Sequence, residues 1–283
     1  MSDGFHKLTE LMAALRAPNG CPWDRKQTHE SLKPYLLEEA YEVLDAIDQQ
    51  DLAKLPEELG DVLLQVLFHS QIGAEAGTFT IDRVMELLSE KLIRRHPHVF
   101  PNGSQDPKPA NADQVVAKWE DIKKAERQAA GRSDSVLDGV PKTLPALLRA
   151  YQIQARASRV GFDWNRDQAG FDQVLSKIEE EIRELRVALR QPASDGTDGA
   201  RQHEIEAEFG DVLFSLVNLA RFVKVNPEDA LRQAIARFVS RFQHIEAQAA
   251  GSGKAVSDLS LDEMNRLWEE AKAQQARTAT RIP

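Results

Sequence analysis

Apolar residues recur along this chain at intervals of three and four, the spacing of one face of an α-helix. From Tyr35 the apolar positions are Leu36, Leu37, Ala40, Tyr41, Val43, Leu44 and Ile47, with acids on another face. Pro56 stands ahead of Glu57, Glu58 and Asp61, and proline at the first helical position with acids in the first turn marks a helix start. The run from Val62 to Phe68 is apolar nearly all round. Alone it would also suit a buried strand. It continues through His69, Ser70, Gln71 and Ile72 without a turn residue before Gly73, which favours a buried helix. Thr80 to His96 reads as an amphipathic helix stopped by Pro97. Asn102 to Pro109, rich in Pro, Gly and Asn, reads as a loop, and Asp113 to Ala130 as helix again. The pattern predicts an all-α chain.

The second half repeats the first. The first half carries Trp23, then Glu38-Glu39-x-x-Glu42, Glu58-Leu-Gly-Asp61, Lys91-x-x-x-Arg95 and Trp119. The second carries Trp164, then Glu180-Glu181-x-x-Glu184, Glu208-Phe-Gly-Asp211, Arg237-x-x-x-Arg241 and Trp268. From tryptophan to first glutamate the interval is 15 residues in one half and 16 in the other. The largest difference lies between the carboxylate pairs, 16 residues against 24, and coincides with the loop-forming stretch from Pro192 to Gly199. The expected organisation is therefore two tandem helical domains, residues 1–130 and 146–283, joined by a linker over 131–145; both have ordinary domain sizes.

Residues three or four apart share a helix face. Glu39 with Glu42, and Glu58 with Asp61, would point together from successive helices, as would Glu181 with Glu184 and Glu208 with Asp211. One Glu-x-x-Glu is common on a solvated face. Two such pairs on successive helices, one bordering an apolar run, and the whole set present twice, point instead to a metal. Four carboxylates in one small volume repel unless a cation joins them. All the donors are hard oxygens, which selects Mg²⁺, then Mn²⁺, over Zn²⁺. A di-iron bundle would need Glu-x-x-His pairs, and the chain has none. Lys91 with Arg95 and Arg237 with Arg241 could hold phosphates, or form plain solvated stripes. Trp119 and Trp268 could stack on a base or belong to the core.

Composition narrows the choice. The 283 residues sum to a formal charge of −9, which argues against tracking an extended nucleic acid. The one cysteine, Cys21, can form no intramolecular disulfide. The opening residues are polar, and no apolar stretch of about 18 residues suggests a membrane span, so a cytoplasmic protein is expected. Neither a P-loop nor a dinucleotide-binding Gly-x-Gly-x-x-Gly is present. His96-Pro97-His98 has no counterpart in the second half and reads as a helix stop.

Glu-Glu-x-x-Glu followed by Glu-x-x-Asp is the signature of the all-α nucleoside triphosphate pyrophosphohydrolases. The segments Gly20–Asp24, Leu37–Ala46, Arg94–Phe100 and Val160–Trp164 make the resemblance closer: from about Leu8 to Ala273 the chain resembles the tandem-domain MazG family. That resemblance implies two tandem MazG-type helical bundles, a homodimer, Mg²⁺ dependence with Mn²⁺ as a possible substitute, and hydrolysis of nucleoside triphosphates to monophosphate and pyrophosphate. It assigns the metal to Glu39, Glu42, Glu58 and Asp61 and to Glu181, Glu184, Glu208 and Asp211. It assigns nucleotide contacts to Arg237, Arg241 and Trp268, matched in the first half by Lys91, Arg95 and Trp119, and favours the C-terminal unit as the catalytic one. Arg237 stands where family members can carry lysine. Water would attack the α-phosphorus, with Glu38 and Glu180 as candidates to orient or deprotonate it. Two further readings stay open: a house-cleaning hydrolase for noncanonical dNTPs, and a nucleotide-sensing protein without turnover.

Overall fold

The computed structural model describes residues 3–100, 109–129, 131, 135–190 and 198–279. Among these residues the chain forms eleven α-helices and one 3-10 turn, with no strand. This is the all-α architecture that the apolar spacing predicts. The chain divides into two compact units, Met1–Ala129 and Ala130–Pro283. The loop expected over 102–109 lies, apart from Pro109, outside the described residues. So do Ala130, linker residues 132–134 and the insertion residues 192–197.

The first unit holds α1 (Asp3–Arg16), the short α2 (Pro22–Lys26), α3 (Lys33–Asp48), α4 (Leu55–Glu75), α5 (Ile81–Arg95) and α6 (Ala112–Ala129). Prolines open α3 and α4, the second at Pro56 as the sequence suggests. Thr80 caps α5, its hydroxyl accepting from the Arg83 amide. Both α1 and α3 pack on α4. Met12, Leu32, Leu67 and Phe68 form the core there, flanked by Leu63, Ile72 and Ile81. Each such side chain contributes roughly 1.5–3 kcal/mol on burial.

The second unit holds α7 (Ala146–Arg159), α8 (Gln168–Arg190), α9 (Asp198–Phe222), α10 (Pro227–Gly251) and α11 (Leu261–Ala279). Both α7 and α8 pack on α9, repeating the arrangement of α1 and α3 on α4, while α10 packs on α11 and α7. Where the first unit has α2, the second has an irregular loop. Gly161, at φ +89°, turns the chain out of α7 into it, a conformation that suits glycine. The loop ends at Asp167, whose Oδ1 accepts from the Gly170 amide at 2.8 Å and caps α8. Gly170 is pressed so closely against Asn165 that a Cβ would stand 1.8 Å from its carbonyl oxygen. Among the described residues no helix is long and apolar enough to cross a membrane.

Candidate metal and nucleotide site

Because α3 lies on α4, the acids that each helix presents on that side meet. Carboxylate oxygens of Glu39, Glu58 and Asp61 lie within 4.8 Å of one another. Glu42 joins them through a hydrogen bond with Glu58; that bond and the neighbouring negative charge push its carboxyl above the usual range. Burial, then Asp61 and Glu38, pushes Glu39 up as well. Glu58 is only 2% exposed. The Lys54 ammonium, 2.6 Å away, holds its carboxyl below the usual range. The other oxygen, Oε2, is buried without a hydrogen-bond partner.

The second unit repeats the cluster with α8 and α9. Oxygens of Glu181, Glu184 and Glu208 lie within 4.8 Å of one another. Burial raises the Glu208 carboxyl, and Glu184, Asp211 and Glu181 raise it further. Glu208 Oε2 is likewise buried and unpartnered. Lys177 reaches Glu181 at 2.7 Å and Glu180 at 2.8 Å. It lowers the Glu180 carboxyl, and its own ammonium is raised well above the usual lysine value. Both units thus counter the acids with a lysine, taken from the foot of α4 in one and from α8 in the other. Lys54 and Lys177 are not duplicated positions, so the repeat could not signal them. Crowded acids with raised pKa values and an orphaned oxygen in each cluster form a donor set that fits a hard divalent cation.

In each unit the second residue of the basic pair meets the late tryptophan. Arg95 reaches Glu126 at 2.7 Å, and so does Arg94. The hydrogen bond from Arg95, helped by Arg94, lowers the Glu126 carboxyl to about 2. Trp119 donates its indole N–H to the Arg95 carbonyl at 2.6 Å and meets the His96 ring edge-on. Lys91 is exposed. In the second unit the Arg241 guanidinium lies 5.3 Å over the Trp268 ring and donates to Gln275, while Phe238 packs on the same tryptophan. Arg237 is exposed. Among the described residues no ion pair joins these arginines to the acid clusters.

A cavity of about 380 Å³ opens beside the second cluster, with Glu181, Asp211 and Lys177 in its wall. Trp164, Phe214 and Gln154 line it as well. Arg221 grips Asp163 with both terminal nitrogens, one at 2.7 Å. Burial works to raise the Asp163 carboxyl, but the guanidinium outweighs it and the net shift is downward. Of these residues Trp164 and Asp163 belong to a sequence motif; Gln154 and Arg221 belong to none.

A family model for the MazG nucleotide pyrophosphohydrolase domain matches residues 27–100 and 170–246. Over 268 residues the chain is 47% identical to the nucleoside triphosphate pyrophosphohydrolase/pyrophosphatase MazG of Thermotoga maritima, covering 95% of both chains. This chain belongs to the MazG family. It is also 42% identical to the Escherichia coli K12 nucleoside triphosphate pyrophosphohydrolase over 95% of its length and 97% of that protein. The uncharacterized protein YabN of Bacillus subtilis is 47% identical over 97% of this chain, which spans 53% of YabN. The two MazG segments contain both acid clusters, Glu38, Glu180 and both basic pairs. Trp119, Trp268 and the Gln154 side of the cavity fall outside them.

Proposed function

We propose that the chain hydrolyses nucleoside triphosphates, ribo or deoxyribo, to the monophosphate and pyrophosphate, and that its second unit is the main catalytic one. One observation carries this reading: an acid cluster with an orphaned buried oxygen borders a cavity of nucleotide-binding size, in a MazG chain alike to named pyrophosphohydrolases over nearly its whole length. Glu181, Glu184, Glu208 and Asp211 hold Mg²⁺, or Mn²⁺ in its place; Glu39, Glu42, Glu58 and Asp61 are the equivalent set in the first unit. The cation, when bound, supplies the positive charge without which phosphate oxygens could not approach these carboxylates.

Lys177 keeps Glu180 ionised, so Glu180 accepts a hydrogen bond from the attacking water and aims its oxygen at the α-phosphorus; Glu38 is its first-unit counterpart. The new bond forms from water oxygen to α-phosphorus, the bond to the bridging oxygen breaks, and pyrophosphate leaves. Arg237 and Arg241 hold the departing phosphates, with Trp268 keeping Arg241 in place. Lys91, Arg95 and Trp119 are their first-unit equivalents.

The protein works as a homodimer on this reading. Phe209, Ile235 and Phe238 are each more than half exposed, apolar side chains of the kind that a second copy would cover. Residues 1–130 and 146–283 are the two domains, with 131–145 between them. The cytoplasm, where nucleoside triphosphates and a reduced Cys21 coexist, is the implied compartment. Incubation with a panel of NTPs and dNTPs plus Mg²⁺ tests the reaction. Monophosphate and pyrophosphate are the expected first products, an α,β-imido nucleotide should resist, and a β,γ-imido one should be cut. Orthophosphate as the first product would overturn the assignment.

A further inference from the structure

We propose that His29 and His69 form a proton-operated latch in the first unit, closed while the pair carries at most one added proton and open when both rings are charged. The two Nδ1 atoms are 2.8 Å apart. The ring centroids are 5.1 Å apart and the ring planes differ by 11°. That is about the greatest centroid separation a 2.8 Å contact between these nitrogens allows. The rings therefore lie edge to edge in nearly one plane, Nδ1 pointing at Nδ1, and not face on face. One nitrogen must carry a hydrogen and the other a lone pair. Two metal–imidazole bonds of about 2.0–2.1 Å each would not fit in line between them, so what the nitrogens share is a proton.

A first added proton goes to Nε2 of the donating ring and leaves the bond in place, now charge-assisted. A second must go to the accepting Nδ1. It removes the acceptor and sets two cations against each other, so the two steps belong to the pair and are spread apart. Burial, and then the His29 charge, hold the His69 ring below the usual histidine value. The charged groups of the neighbouring elements are engaged with one another. Glu30, next to His29, pairs with Lys33 at the start of α3, and Lys33 foremost, with His29 last, lowers its carboxyl. In α1, His6 pairs with Glu10, and Arg16 reaches across to Glu75 of α4. In α5, Arg83 pairs with Glu86. Asp61 of the acid cluster lies two helical turns before His69.

The latch holds a turn that moves as a block. The Thr28 amide donates to Ser31 Oγ, the Ser31 amide to Thr28 Oγ1, and the Ser31 hydroxyl to Gln27 Oε1. Among the described residues, the hydrogen bond from this turn to α4 is that of His29. Phe79, from the turn after α4, lies with its ring 6.0 Å from the His29 ring. Next in the chain comes the core residue Leu32, which leads into α3, the helix of Glu39 and Glu42. Opening the latch therefore slackens the start of the helix that brings two acids to the first cluster.

The second unit lacks the device. Gly60-Asp61-Val62-Leu63 aligns with Gly210-Asp211-Val212-Leu213, which puts Leu219 at the place of His69. The place of His29 falls on Gly170 when counted from the tryptophans and on Phe171 when counted from the glutamates. None of these three side chains titrates. Acid should therefore loosen this turn in the first unit and leave its counterpart in the second unchanged.

Two measurements on the full chain test it. The first is a pH titration of the ring nitrogens by NMR of histidine-labelled protein, with His29→Asn and His69→Leu to assign the signals. The wild-type pair should titrate in two steps at least about one pH unit apart, the lower one below about 6.5, and removal of either ring should leave the other with a single, higher step. The second is amide hydrogen exchange over residues 28–36 at pH 7.5 and pH 5, corrected for the intrinsic rate, with residues 168–175 as the internal control. Wild-type protection should fall at least about tenfold at pH 5, the scale of one lost hydrogen bond to a charged group, while the control segment holds. In His69→Leu, which installs the residue of the second unit, protection should be the same at both pH values. Ring titrations unchanged by loss of the partner, wild-type protection indifferent to pH, or a pH dependence that survives in His69→Leu would overturn the proposal. Should the variants fail to fold by circular dichroism, the wild-type titration and exchange decide.

Discussion

Adding Mg²⁺ to metal-free protein should raise its melting temperature, and by more at pH 8 than at pH 5. The acids themselves set this expectation. Burial and acidic neighbours raise the Glu39 and Glu208 carboxyls above the ordinary glutamate range, and the hydrogen bond with Glu58, with that neighbour's charge, raises Glu42. A group whose folded pKa is raised contributes stability that is fully present below the unfolded value and is lost as pH rises through the folded one. Without metal, these acids therefore weaken the fold as pH climbs above about 4.5. Mg²⁺ reverses that loss, and protons compete with it on acidification. At a hundredfold excess over Kd, binding to the native state alone is worth about 2.7 kcal/mol. For a unit the size of residues 130–283, each kcal/mol moves the midpoint by roughly 2–4 °C, so a rise of about 5–10 °C is expected. Calorimetry of EDTA-stripped protein, titrated with Mg²⁺ at both pH values, reads it directly. Glu208→Gln should melt higher than wild type without metal and gain less from it. A midpoint indifferent to Mg²⁺ at pH 8, or equal rises at pH 5 and pH 8, would refute the reasoning.

Two further expectations concern the scaffold. Glu126, lowered to about 2 by Arg95 and Arg94, contributes stability that is present above 4.5 and lost as pH falls towards 2. Glu126→Gln should cost on the order of 1–3 kcal/mol at pH 7, allowing for its partial exposure, and nothing measurable at pH 2, by urea denaturation at the two pH values. Gly170→Ala would force a Cβ to 1.8 Å from the Asn165 carbonyl. It should destabilise the second unit by at least about 2 kcal/mol, seen as an earlier unfolding step in calorimetry.

Helix periodicity carries far in this chain because its helices are amphipathic and its punctuation is ordinary. Pro34 and Pro56 open α3 and α4, Thr80 caps α5, and α5 ends at Arg95, just ahead of His96 and Pro97. α4 runs on through Gly73 to Glu75, since a glycine inside a packed helix costs only about 1 kcal/mol. The meeting of acids from successive helices was readable for the same geometric reason: a three-residue spacing keeps two carboxylates on one face. What a side chain meets on a neighbouring helix was not readable. Arg95 pairs with Glu126 on another helix, and Trp119 is anchored by the Arg95 carbonyl. The lysines opposing the acids sit at unrelated places in the two repeats, and the Gln154 amide finds its acceptor in a carbonyl sixty residues away. Such partners depend on packing between helices, for which a single sequence has no period.

The central claim is that pyrophosphate is released at the carboxylates of the second unit. Steady-state pyrophosphate release in Mg²⁺ should be compared between Glu184→Gln with Asp211→Asn and Glu42→Gln with Asp61→Asn, with circular dichroism to verify folding. These changes remove charge with little change in volume. The account predicts that the second-unit pair loses most of the turnover and the first-unit pair much less. Greater loss from the first-unit pair, or full turnover in the second-unit pair, would contradict it.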